Sequence, residues 1–146
     1  MSLTTSSNIN NLNRPKVLLV EDEATTRDVL ELRLESLLGY KCQSASNPAE
    51  AKKLIAEHDF KLVITDIMMP NDKDEEIDDE AGYKFGCDLF KAKPEIKIIC
   101  LTGRADEEIE EKIRLASKNN NFNLVDFFRK PFANRAFKTA LEQAMR

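Results

Sequence analysis

Residues 61–70 read KLVITDIMMP. Lys61 to Thr65 is a short apolar run, rich in β-branched residues, that ends in acid at Asp66. Such a run predicts a strand buried on both faces. Both faces of a strand are covered when helices lie above and below its sheet, which predicts a parallel sheet. A strand of this kind needs neighbours of the same kind, and the chain supplies them on either side.

Upstream, Lys16 to Glu21 (KVLLVE) is a second apolar run ending in acid, and Tyr40 to Ala45 is a weaker one. Downstream, Ile96 to Leu101 (IKIICL) and Leu124 to Phe128 complete five strands. Helical spacing separates them. Between Thr25 and Leu38, Leu30, Leu34, Leu37 and Leu38 share one face, and Gly39 supplies a stop. Asn47-Pro48 opens the next helix, with Asn as cap, Pro in the first turn and Glu50 where a capping-box acid belongs. Ala51, Leu54 and Ile55 form its apolar face, and His58, the single histidine, sits at its end, partly exposed. Gly82 to Lys93 carries Phe85, Leu89 and Phe90 inward, and Pro94 ends it. Ala105, Ile109, Ile113 and Ala116 mark a fourth helix, which Asn119 to Asn121 break. Ala133 to Met145 closes the chain with Phe137, Leu141 and Ala144 inside. Five strands alternating with five helices predict a doubly wound α/β fold, and right-handed crossovers leave few topologies.

The chain has 146 residues, enough for one compact domain with a core. Its net charge of −4 argues against a nucleic-acid-binding surface. No apolar run approaches the roughly 20 residues that span a bilayer. Residues 1–14 are rich in Ser, Thr and Asn, lack periodicity and read as a disordered leader without a signal-peptide core. Cys42, Cys87 and Cys100 show no CxxC spacing. They read as reduced thiols packed as small hydrophobes in a cytoplasmic protein.

In an open parallel sheet, ligands bind beyond the carboxyl ends of the strands. The residues just after each strand therefore carry the chemistry. They are Glu21, Asp22 and Glu23 after the first strand, Asp66 after the third, Thr102 after the fourth, and Lys130 after the fifth. Clustered carboxylates call for a divalent cation, and Mg²⁺ takes oxygen ligands and accepts phosphate oxygens. A carboxylate can attack phosphorus to form an acyl phosphate. Such a transfer needs positioning and charge neutralisation more than covalent machinery. Taken alone, a strand-end Asp is as readily a turn former, and Thr102 a helix cap. Glu23 reads as a first-turn helix acid.

Four stretches in order resemble response-regulator receiver domains: VED at 20–22, ITDIMMP at 64–70, LTGRA at 101–105 and RKPF at 129–132. The resemblance covers about residues 15–146. It implies a flavodoxin-like five-stranded parallel sheet of order 2-1-3-4-5 with five helices. It also implies a phosphorylation-dependent switch of a two-component phosphorelay, not an enzyme beyond self-phosphorylation and autodephosphorylation. Asp66 matches the phosphoacceptor. Glu21 and Asp22 match the acidic pair that holds Mg²⁺, with Asp66 itself and the backbone carbonyl of Met68 completing the metal site. Thr102 matches the switch hydroxyl, Lys130 the phosphate-binding lysine, and Phe127 the aromatic that changes rotamer when Thr102 moves. The resemblance also places Met68 and Arg104 at the pocket mouth, where such residues tune how long the phosphoryl group survives. The resemblance further implies a cis Lys130-Pro131 bond. The implied partners are a sensor histidine kinase or histidine phosphotransfer protein, with a homodimer through the fourth helix, fifth strand and fifth helix.

Two stretches depart from the family pattern. The family reaches a glycine soon after Met-Pro, whereas here 71–81 reads as an inserted acidic loop, with Gly82 or Gly86 in the glycine's role. Residues 72–80 hold seven acids and one lysine. A calcium loop fails because, counting from Asp72, position six is Ile77 and position twelve is Tyr83. A solvated, mobile loop is the expectation. Ser117 to Asn123 also lengthens the connection before the last strand. Two other functions share parts of the pattern. A Mg²⁺-dependent phosphohydrolase with an Asp nucleophile would need a second Asp where Met68 stands, and a receiver-like interaction module that is never phosphorylated would not need the full residue set.

Overall fold

The computed structural model describes residues 16–39, 41–103 and 107–146. The leader 1–14, Tyr40, Arg104 and Ala105 lie outside the described residues. The strands are β1 (Lys16–Val20), β2 (Gln43–Ala45), β3 (Phe60–Asp66), β4 (Met69–Pro70), β5 (Ile77–Asp78), β6 (Lys97–Thr102) and β7 (Leu124–Arg129). The helices are α1 (Ala24–Leu38), α2 (Pro48–Glu57), α3 (Ala81–Ala92), α4 (Glu107–Lys118) and α5 (Asn134–Ala144).

Five strands form one parallel sheet in the order β2-β1-β3-β6-β7. With the short β4 and β5 set aside, this is the expected 2-1-3-4-5. Alternate residues of each strand face opposite sides of the sheet. Leu18, Val20, Val63, Ile98, Cys100 and Phe127 pack with Ala51, Ile55, Phe85, Leu89, Ile109 and Ile113 of α2, α3 and α4. Val17, Leu19, Leu62, Ile64, Ile99 and Leu101 pack with Leu30, Leu34, Phe137 and Leu141 of α1 and α5. Burial on both faces explains why these strands read as continuous apolar runs rather than alternations. Among the described residues, no helix is long and apolar enough to cross a membrane.

Local chemistry fixes the helix starts and the connections. Asn47 caps α2, its Oδ1 accepting from Glu50 N at 2.8 Å, while the Glu50 carboxylate accepts from Ser46 Oγ. Arg33 of α1 donates to Phe132 O at 2.6 Å and lies 4.1 Å from the Phe132 ring centre. It thereby holds the loop that follows Lys130, whose bond to Pro131 is cis as expected. In the 117–123 connection, Leu124 N donates to Ser117 Oγ and Phe122 is buried at 1% exposure.

The segment 70–81, expected as a plain mobile loop, instead contains an antiparallel hairpin. Met69 pairs with Asp78 and Pro70 with Ile77. Asp78 accepts from Asn71 Nδ2 (2.8 Å), Lys84 Nζ (2.7 Å) and Glu80 N (2.8 Å). Asn71 O in turn accepts from Ala49 N in the first turn of α2. The hairpin is therefore tied to α2 on one side and α3 on the other. The run of like charge hid these pairings, because only one of the acids closes them.

Candidate functional site

Strand register builds the site. Val20 lies beside Thr65, Asp66 beside Leu101, and Thr102 beside Arg129. The carboxyl ends of β1, β3, β6 and β7 thus lie together at one edge. Lys130 N donates to Thr102 O at 2.7 Å, locking the last two strand ends together. Glu21 N donates to Ala45 O, and Glu21 O accepts from Arg27 Nη1, fixing the turn into α1.

At this rim Lys130 Nζ lies 3.0 Å from Asp66 Oδ2 and 3.0 Å from Glu21 Oε1. Asp66 Oδ1 accepts from Ile67 N at 2.7 Å. Carboxylate oxygens of Glu21, Asp22 and Asp66 lie within 4.8 Å of one another. Glu21 is buried, and Asp22 and Asp66 are half-buried. Burial pushes the Asp66 carboxyl above the usual aspartate range; Lys130 opposes this and Glu21 adds to it. Burial alone would lower the Lys130 ammonium, but Asp66 and Glu21 outweigh it and hold the group above the lysine norm. Two of the three clustered acids, Glu21 and Asp66, share one ammonium, so the rim carries excess negative charge that suits a hard cation.

Of the residues expected from sequence, Glu21, Asp22, Asp66, Met68, Thr102 and Lys130 all line one cleft of about 360 Å³. Phe127 does not line it. It is buried, on the sheet face that α4 covers. Thr102 is buried at 1% exposure. Gly82 rather than Gly86 abuts the strand end. A Cβ at Gly82 would fall 2.3 Å from Asp66 O, and Gly82 N donates to Ile67 O. Gly86 instead makes room for the Phe122 ring. Thr26 and Ile77 also line the cleft and were not expected there. Ile77 had a signal, as the lone apolar residue inside the acidic run, but nothing in the run itself says where it points. The thiols lie elsewhere and form no disulfide, and burial, reinforced by Glu35, pushes Cys42 up to about 12.

A doubly wound sheet with acids, a hydroxyl and an ammonium at its carboxyl rim defines a flavodoxin-like receiver fold. A sequence model of the family described as response regulator receiver domain matches residues 17–142. The chain belongs to this family and is a receiver domain of two-component signalling. It is 32% identical over 139 residues to "Probable transcriptional regulator ycf27" of Cyanidium caldarium, covering 95% of this chain and 49% of that protein. The chain spans about half the length of the curated relatives first matched. Those relatives are regulators rather than classical enzymes. Among solved structures, the beryllofluoride-activated NtrC4 receiver domain dimer superposes with a TM-score of 0.71 at 26% identity, covering 89% of this chain and 95% of that one. The response regulator TrrA of Thermotoga maritima, in complex with Mg²⁺ and beryllofluoride, gives 0.69 at 26% identity, covering 89% and 98%.

Proposed function

We propose that this receiver domain accepts a phosphoryl group on Asp66 from a sensor histidine kinase or histidine phosphotransfer protein. The observation that carries this reading is the Lys130 ammonium 3.0 Å from Asp66, at a rim where three carboxylates converge. An Asp66 carboxylate oxygen forms the new bond to phosphorus, and the donor imidazole leaves. Lys130 then serves as a point charge for one phosphoryl oxygen and the Thr102 hydroxyl donates to another. Glu21, Asp22, Asp66 and the Met68 carbonyl are the groups that would hold Mg²⁺. When bound, it supplies charge neutralisation at the phosphoryl oxygens.

Inward movement of Thr102, followed by Phe127, shifts α4 and biases a pre-existing two-state equilibrium. The readout is a partner or output domain. The face of α4, β7 and α5 is the surface for a homodimer; the dimeric NtrC4 relative supports assembly of such domains. The domain works in the cytoplasm. The test is labelling by acetyl phosphate with Mg²⁺. Asp66→Asn abolishes it, and full labelling of that variant would refute the assignment.

A further inference from the structure

The β4–β5 hairpin delivers an apolar side chain to the cleft that holds Asp66. Among the described residues, Ile77 is one of four large hydrophobics left strongly exposed, at 61%. The other three, Val29, Leu32 and Leu115, are on α1 and α4 and do not line this cleft, whereas Ile77 does, together with Asp66, Met68, Thr102 and Lys130. Its backbone is held in place: Ile77 pairs with Pro70, and the neighbouring Asp78 accepts the three hydrogen bonds described above.

We infer that Ile77 is a water-excluding residue that prolongs the life of the phosphoryl group on Asp66; this rests on the phosphoacceptor reading. Loss of the group by hydrolysis is an in-line displacement, with attacking and leaving oxygens on opposite sides of phosphorus. A water oxygen bonds to phosphorus and the bond from phosphorus to the Asp66 oxygen breaks. Asp66 leaves as the carboxylate, and both water protons stay with the product, dihydrogen phosphate. The water has to arrive from the open side of the cleft. Ile77 lines this cleft with apolar atoms that cannot hydrogen-bond and so cannot hold a water in line.

The test loads wild type, Ile77→Ser, Ile77→Val and, as an exposed control on another face, Leu32→Ser with acetyl phosphate and Mg²⁺. After removal of the donor, decay of the phosphorylated protein is followed by intact mass. Ile77→Ser loses the group severalfold faster than wild type, Ile77→Val keeps a near-native lifetime, and Leu32→Ser matches wild type, while all four melt at similar temperatures. Equal lifetimes for wild type and Ile77→Ser overturn this inference and leave the phosphoacceptor reading intact. A wild-type protein that never takes up phosphoryl, or takes it up elsewhere than Asp66, overturns both.

Discussion

Gly82 shows how closely one residue is tied to the site. Its α-carbon abuts the backbone of Asp66, so even a methyl group there meets a carbonyl oxygen at 2.3 Å. The obstacle is backbone, not the end of a flexible side chain, so the strand end or the start of α3 has to move. Gly82→Ala is expected to cost about 1–3 kcal/mol, the usual range for overpacking. It also weakens Mg²⁺-dependent beryllofluoride binding, because the displaced backbone carries Asp66. Urea denaturation and a beryllofluoride titration check the two parts separately. The residues of the rim were legible in the sequence because each follows an apolar run that is a strand. The choice between Gly82 and Gly86 was not, since both lie in the first turns of one helix and only packing distinguishes them.

At the scale of an element, the hairpin depends on a single carboxylate. Hydrogen bonds from Lys84 first, then Asn71 and Glu80 N, hold Asp78 down at about 2. Its unfolded value is near 3.8. A depressed carboxyl stabilises the folded form fully above the unfolded value and loses that contribution as pH falls through the folded one. The hairpin therefore keeps its closure above about pH 5 and loosens between about pH 4 and 2. Amide exchange or methyl chemical shifts at Ile77, followed through an acid titration, report this. Asp78→Asn shows the loosened behaviour already at neutral pH; an unchanged Ile77 environment in that variant would sink the account. The hairpin was hidden in the sequence because its strands are two residues long, too short for alternation to register. The helix caps, by contrast, are local chemistry, and Asn47-Pro48 declared α2 outright.

On the scale of the whole molecule, one sheet serves two cores, and every central strand contributes side chains to both. A cavity on either face is therefore felt by the same strands. Phe85→Ala beneath α3 and Phe137→Ala beneath α5 are each expected to cost about 3–5 kcal/mol. Each lowers a single cooperative transition rather than melting one face alone. Far-UV circular dichroism alongside amide signals from both faces tests this, and separate midpoints for the two faces would contradict it. The topology was readable because βαβ order and handedness leave little choice once the strands are known. The path of 117–123 was not readable, because the burial of Phe122 against Gly86 is a contact between distant segments.

The border strand β2 is only three residues long, and the opposite border, β7, is flanked by the charges of Arg114, Glu110, Asp126 and Arg129. Unpaired backbone at a sheet margin is a template for a stranger's strand, and short length and charge are the usual ways of closing it. This molecule offers little of that template on either side. Its capacity to recognise a copy of itself or another protein thus rests on side chains of its helices, its loops and β7, where contacts can be made and released without adding a strand to the sheet.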